Sequence, residues 1–186
     1  MEGATDAELM ARVRSGDRDA FAGLVDRHKH MLVNYLTRLT GYRDRGEEYA
    51  QEAFLRLYQS ASRYREQGQL LPYLYRIATN LARSDERKKR RWQILSSVFS
   101  SNGHHGESNP QSQLLAAEAK EQVHMALSNL PAHFRAPLIL REIEEWSYQD
   151  IAKAVGCREG TVKSRINRGR SQLRELLEPY MNGGGK

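Results

Sequence analysis

Apolar residues recur at intervals of three and four through most of the chain, and no uninterrupted run of them is longer than four. That spacing lays one apolar stripe along each successive helix and leaves no stretch of strand-like alternation. It also leaves nothing near the roughly 20 apolar residues that a membrane-spanning helix needs. With 186 residues, 39% hydrophobic and 28% charged, the chain reads as all-α, in one domain of ordinary size or two small ones. A large multi-domain enzyme is excluded. The N-terminal residues Met1 to Glu8 lack the basic start and apolar stretch of a secretory signal, and the single cysteine, Cys157, allows neither an intramolecular disulfide nor a cysteine-rich zinc site. A reducing, cytoplasmic location without membrane insertion is expected.

The helices can be delimited from their punctuation. Thr5 and Glu8 form a capping box ahead of Leu9, Met10 and Val13, and Gly16 supplies the stop. From Asp17, the positions Phe21, Leu24, Val25, Leu32, Tyr35, Leu36 and Leu39 predict a long amphipathic helix that ends at Thr40 and Gly41. A third helix, about 45–60, places Tyr49, Ala50, Ala53, Phe54, Leu57 and Tyr58 on one stripe, with Glu47, Glu48, Gln51, Glu52 and Arg56 mostly opposite. After a polar break at 60–69, Pro72 suits the first turn of a fourth helix with Leu74, Tyr75, Ile77, Ala78, Leu81 and Ala82 on its buried side. Residues 96–110 are too rich in Ser, Gly and Asn to pack a core, and read as a flexible linker. Its His104 and His105 point apart and have no nearby third ligand, so no metal is expected. Beyond it, Leu115, Ala119, Val123, Ala126, Leu127 and Leu130 predict a fifth helix stopped by Pro131, and a sixth covers about 132–144 with Pro137 near its start. Two small helical domains, 1–95 and 111–186, follow from this layout.

Residues 147–177 carry the strongest functional signal. Ser147 and Asp150 form a capping box, Gly156 and Cys157 make a tight turn, and a new helix runs from about Arg158 to Leu177, the layout of a helix-turn-helix. Arg158 offers no side-chain oxygen as a cap. Ile151, Ala152 and Val155 are expected to face Val162, Ile166, Leu173 and Leu176, with Gly160 allowing close approach where the helices cross. At about 100° per residue this leaves Thr161, Ser164, Asn167, Arg168 and Ser171 outward, flanked by Lys163. Lys163 and Arg168 can donate to guanine, Asn167 can pair with adenine, Thr161 and Ser164 can serve either, and Arg165 and Arg170 suit phosphates.

Net charge is +6 and is unevenly spread: residues 83–91 carry net +4, residues 158–174 net +5, and the rest of the chain net −3. Two separated basic stripes fit a polyanion, although two solvated helix faces would have the same composition.

At two separate places the residues resemble a known family, the extracytoplasmic-function (group IV) sigma factors of the sigma-70 family. Leu130 to Glu142, Ser147 to Ala152 and Gly160 to Arg170 look like its promoter-reading domain σ4. Asp19 to His28, Glu47 to Tyr58 and Tyr73 to Arg83 look like its domain σ2. The resemblance implies a subunit that binds core RNA polymerase through the β′ clamp and the β flap, and directs transcription from particular promoters. It implies a σ2 domain at 1–95 that melts and reads the −10 element, and a σ4 domain at 111–186 that reads the −35 element as duplex. Gln51, Glu52, Leu55 and Gln59 match the surface that meets the β′ clamp. For −10 it implicates Tyr64, Tyr73, Arg76, Asn80 and Arg83, with Arg87, Lys88, Lys89, Arg90 and Arg91 on phosphates; core packing is the alternative for the two tyrosines. For −35 it implicates Lys163, Ser164, Asn167 and Arg168, with Arg141 and Tyr148 on the backbone. The chain ends at Gly183 to Lys186, which favours a separate anti-sigma factor over a built-in extension.

Three other readings compete. A free-standing operator-binding regulator explains 147–177 but leaves 47–58 and 73–83 without a purpose. An enzyme lacks a phosphate loop, a metal-binding H-E-x-x-H or a nucleophile elbow; neither catalytic residues nor a cofactor are expected. A helical adaptor would show no salt-dependent DNA binding. Cys157 reads as a small turn residue ahead of an oxidation sensor.

Overall fold

The computed structural model describes residues 3–65, 70–96 and 114–181, with side chains at 3–65, 70–88 and 122–180. Every regular element among them is helical. In chain order these are α1 (Asp6–Arg14), α2 (Arg18–Thr40), α3 (Arg43–Ser60), α4 (Leu70–Ser96), α5 (Leu114–Asn129), α6 (Ala132–Glu142), α7 (Tyr148–Val155) and α8 (Glu159–Met181), with a short 3-10 turn at Ala61–Arg63. All but Ser96 of the expected linker, with His104 and His105, falls outside the described residues, as do Glu66 to Gln69 and the side chains of Lys89, Arg90 and Arg91.

Local chemistry sets the helix ends. Thr5 Oγ1 accepts from the amide of Glu8, and Glu8 Oε2 accepts from that of Thr5 at 2.7 Å, completing the box that starts α1. Asp17 caps α2 by accepting from the amide of Ala20 at 3.0 Å. Gly41 ends α2 at φ 85°, a left-handed conformation that costs a residue with a Cβ roughly 1–2 kcal/mol.

α1 is fastened to α2 by Asp6, which accepts from Arg27 at 2.6 Å and lies 2.8 Å from the buried His28. Leu24, Leu32, Leu36, Ala53, Leu57, Leu74 and Ala78 fill the core of α2, α3 and α4, each at most 1% exposed. Inside this core Tyr35 of α2 and Thr79 of α4 share a buried hydrogen bond of 2.8 Å. Arg45 of α3 pairs with Asp85 of α4 and donates to Tyr49, fixing the angle between the two helices. The tightest crossing is at Gly46 of α3, where a Cβ would lie 2.5 Å from Thr37 Oγ1 and 2.8 Å from the Thr37 amide.

In the C-terminal half α6, α7 and α8 surround Leu138, Ile139, Leu140, Ile151, Val162 and Ile166, all at most 2% exposed. Three expectations are corrected. A Cβ at Gly160 would meet nothing within 4 Å, because Gly160 is in the exposed first turn of α8; the close pass is at Gly169, against Phe134 and Leu138 at 3.5 and 3.6 Å. Tyr58 is 37% exposed, at the edge of its stripe beside Phe21. Val123 is 41% exposed, since α5 turns Ala126 and Leu127 inward.

The two halves touch. α7 lies along α4, and α5 and α6 abut the C-terminal end of α2.

Candidate nucleic-acid interface

The helix-turn-helix has the caps its punctuation predicts, except that Asp150 accepts from the Ser147 hydroxyl at 2.7 Å and not from its amide, so the capping box is only half formed. Ser147 Oγ accepts from the amide of Asp150 at 3.1 Å to start α7, and Gly156 ends it at φ 67° with its amide bonded to the Ala152 carbonyl. Arg158 stands at the head of α8 and contributes only its carbonyl, which accepts from the amides of Thr161 and Val162. With Val162 and Ile166 fully buried, helical geometry turns Thr161, Lys163, Ser164, Asn167, Arg168, Arg170 and Ser171 outward, and all seven are exposed.

Three of the named polar residues converge. The Arg141 guanidinium lies 4.8 Å from the centre of the Tyr148 ring and the Lys163 ammonium 5.4 Å from it, and Arg141 donates to the Trp146 carbonyl at 2.9 Å. Stacking of cations on a tyrosine face holds both charges at the edge of α8. Lys163 is also 3.1 Å from Glu159. Arg170 is engaged otherwise: it donates to Glu142 at 2.7 Å, bracing α8 on α6. Arg165 is half-buried, on the side of α8 nearer α4.

In the N-terminal half, Arg76, Asn80, Arg87 and Lys88 are exposed along α4. Arg87 reaches back to the Arg83 carbonyl and Ser84 Oγ, each at 3.3 Å. Arg83 is half-buried; desolvation, and then the neighbouring charges of Arg165 and Arg87, lower its pKa. Tyr64 is 8% exposed and packs on Tyr73 with ring centres 5.4 Å apart, and Tyr73 donates to Ser60 Oγ at 3.2 Å. In this arrangement Tyr64 is a core residue, and of the two tyrosines only Tyr73 reaches the surface.

Gln51, Leu55 and Gln59 are exposed on α3, Leu55 at 49%, and Glu52 is held by Arg56 at 2.6 Å. α3 and α4 enclose a groove of about 730 Å³ lined by Gln51, Glu52, Leu55, Asn80 and Lys88, so residues named for two different partners flank one depression. Burial, and then the hydrogen bond toward Asp85, push the Tyr49 hydroxyl on its wall up to about 12.

Sequence reasoning missed Arg135. It is 5% exposed and donates to the carbonyls of Leu130, Ser128 and Leu39. Its signal was a lone charge in the run from Phe134 to Leu140, where a cation is stable only if its donors are satisfied internally. No cluster of three or more metal-ligating side chains occurs among the described residues, and no helix among them is long and apolar enough to cross a membrane.

Comparison with known proteins agrees with this arrangement. Residues 24–92 match the family described as Sigma-70 region 2, and residues 120–173 match Sigma-70, region 4. The chain is 32% identical over 184 residues to the RNA polymerase sigma-H factor of Pseudomonas aeruginosa, with 95% of each chain covered. It is 34% identical over 185 residues to the ECF RNA polymerase sigma-E factor of Escherichia coli, covering 95% of this chain and 96% of that one. Among solved structures it resembles the sigma factor RpoE of Bartonella quintana, crystallised with the anti-sigma factor NepR, at a TM-score of 0.65 and 26% identity over 85% of this chain and 96% of that one. With a region 2 carrying the α3–α4 groove and a region 4 carrying an outward-facing recognition helix, the chain belongs to the extracytoplasmic-function sigma factors of the sigma-70 family, which direct promoter-specific transcription.

Proposed function

We propose that α3 docks on core RNA polymerase at the β′ clamp through Gln51, Glu52, Leu55 and Gln59, that the C-terminal half meets the β flap, and that the two halves then read separate promoter elements. The observation that carries this is the division of the first half of α8: Val162 and Ile166 are buried, while Thr161, Lys163, Ser164, Asn167 and Arg168 are all exposed. Such a face fits the major groove at −35, with Arg141 and Tyr148 on the flanking phosphates. On α4, Tyr73, Arg76 and Asn80 meet the unstacked −10 strand, and Arg87 and Lys88 neutralise its backbone. The protein works in the cytoplasm, performs no covalent chemistry and uses no cofactor. A separate anti-sigma factor holds it silent, a reading supported by the Bartonella quintana complex.

Pull-down with purified core polymerase, followed by runoff transcription on a pooled promoter library, tests this. Stable association and new discrete start sites are expected. Leu55→Asp should cut association more than tenfold, about 1.4 kcal/mol or more, because it puts a charge in the apolar centre of the docking face. Unchanged association of Leu55→Asp would remove α3 from the interface, and retention of duplex DNA without core binding would favour an operator-binding regulator.

Within the DNA contacts, Arg168→Ala should lose about 1–3 kcal/mol of discrimination at one −35 base pair, whereas Lys88→Ala should weaken every promoter alike and flatten the salt dependence by about one ion. Binding measured across single-base promoter variants distinguishes the two. Equal loss on every variant for Arg168→Ala would move that residue to the phosphate contacts.

A further inference from the structure

Between residues 158 and 174 six basic side chains accompany a single acid, Glu159, which stands in the first turn of the helix proposed to read duplex. A carboxylate there repels the phosphates of any DNA that approaches, which costs affinity unless the group makes a specific contact of its own. Its bond to Lys163, 3.1 Å long with the two side chains 49% and 55% exposed, is a solvated pair four residues apart and adds little stability.

The surroundings of Glu159 leave it open to a partner. Glu159, Lys163 and Asn167 are spaced four apart and form one row along α8. Glu159 is at the N-terminal end of that row, the end a recognition helix puts into the major groove. The next residue, Gly160, has no side chain, and a Cβ there would meet nothing within 4 Å, so the first turn is open beside the carboxylate. The Tyr148 ring, with its centre 5.4 Å from the Lys163 ammonium, supports the other member of the pair. The row therefore begins with an acceptor and a donor held side by side.

The edges of the base pairs show which partner fits. An ionised carboxylate only accepts, and the donors in the major groove are the amino groups at cytosine N4 and adenine N6. Each lies beside an acceptor on the paired base, guanine O6 or thymine O4, so either pair offers a donor and an acceptor together. The flanking groups decide between them. Adenine N7, next to N6, is an acceptor that repels a carboxylate, and the thymine methyl next to O4 obstructs an ammonium. Cytosine has only a C–H next to N4, and guanine N7 gives the ammonium a second acceptor.

We infer that Glu159 is a base-specificity determinant: with Lys163 it forms one acceptor–donor couple that reads a single C·G pair of the −35 element. The carboxylate accepts from cytosine N4, and the ammonium donates to guanine O6 and N7. The inference deepens the proposed −35 reading by α8 and rests on it. It also accounts for an acid on this surface, since repulsion at the other pairs sharpens the choice made by attraction at the right one.

Binding of the full chain assembled with core polymerase, measured across all single-base variants of the −35 element, tests the couple. The wild type should prefer C·G at one position roughly tenfold. Glu159→Ala should reduce that preference to about twofold or less, tighten binding to the other three pairs, and leave every other position unchanged. Glu159→Gln should shift the preferred base at that position from cytosine to adenine, because a carboxamide both accepts from N6 and donates to N7. Lys163→Ala should lose discrimination at the same position, and the double variant should lose little more there than either alone. Thermal midpoints should stay within about two degrees of the wild type, as for other exposed substitutions. A mere brace, or a partner of the helix dipole, would behave otherwise: the Glu159 variants would change binding equally on every sequence. That result, or an effect of Lys163→Ala at a different position, overturns the couple. If the base profile survives in the Glu159 variants while Arg168→Ala loses discrimination at its own pair, the −35 reading stands and the couple falls. If the exposed row of α8 discriminates no base at all, both fall.

Discussion

Gly46→Ala should destabilise the N-terminal half by about 1–3 kcal/mol, read as a lower midpoint in thermal or urea denaturation. Alanine is the better helix former, and in an exposed helix the exchange would gain up to about 1 kcal/mol. At Gly46 the new methyl would lie 2.5 Å from Thr37 Oγ1 and 2.8 Å from the Thr37 amide, and although the hydroxyl can be removed, the backbone of α2 cannot. The overlap therefore has to be relieved by moving α3 off α2, which strips packing from Ala53, Leu57 and their partners. Thr37→Ala should recover only part of the loss. Gly160→Ala is the internal control: nothing lies within 4 Å of that position, so the same substitution should be neutral or mildly stabilising. Equal stability of the Gly46 variant and the wild type would mean that α2 and α3 do not cross this closely.

Ile166→Ala should cost about 2–4 kcal/mol and abolish duplex reading at every sequence, without touching DNA. Ile166 is fully buried in the core that α8 shares with α6 and α7. Truncating it leaves a void under the recognition helix, on the side opposite Asn167 and Arg168. Their positions over the bases then depend on a helix that no longer has one seat. Binding to a −35 duplex, measured beside chemical denaturation, separates this from Arg168→Ala, which should keep full stability and lose discrimination at one base pair. Retention of duplex binding by a destabilised Ile166→Ala would show that the orientation of α8 is held by the Arg170–Glu142 pair and the turn that precedes the helix.

How much was legible differs between elements. Helix limits were written in short-range chemistry, so Thr5 with Glu8, Gly41, Ser147 and Gly156 could be read as starts or stops and all act as such, and Asp17, where the second pattern begins, caps it. The outward face of α8 was equally legible, because a 3.6-residue period with two fully buried apolar positions leaves one arrangement for the rest. Glycine roles were not. Gly46 and Gly160 look alike in sequence, each beside charged or polar residues, yet one is pinned between helices and the other faces open space. Stripe edges were unreliable for the same reason: Tyr58 and Val123 fit the period, but among the described residues both stay partly exposed, at 37% and 41%.

The sequence by itself determined an all-α chain, the ends of most of its helices, the helix-turn-helix and the basic faces of α4 and α8, since each depends on residues within a few turns of one another. Tertiary structure alone decided which of the candidate side chains stay available. Tyr64 is in the core beside Tyr73, Arg170 is committed to Glu142, and Arg141 shares the Tyr148 ring with Lys163. It alone decided that Arg135, nearly a hundred residues along the chain from Leu39, would cap the end of α2. The physical reason is the same throughout. A period or a cap is a local free-energy preference, whereas the partner of a long polar side chain depends on which distant helix arrives beside it.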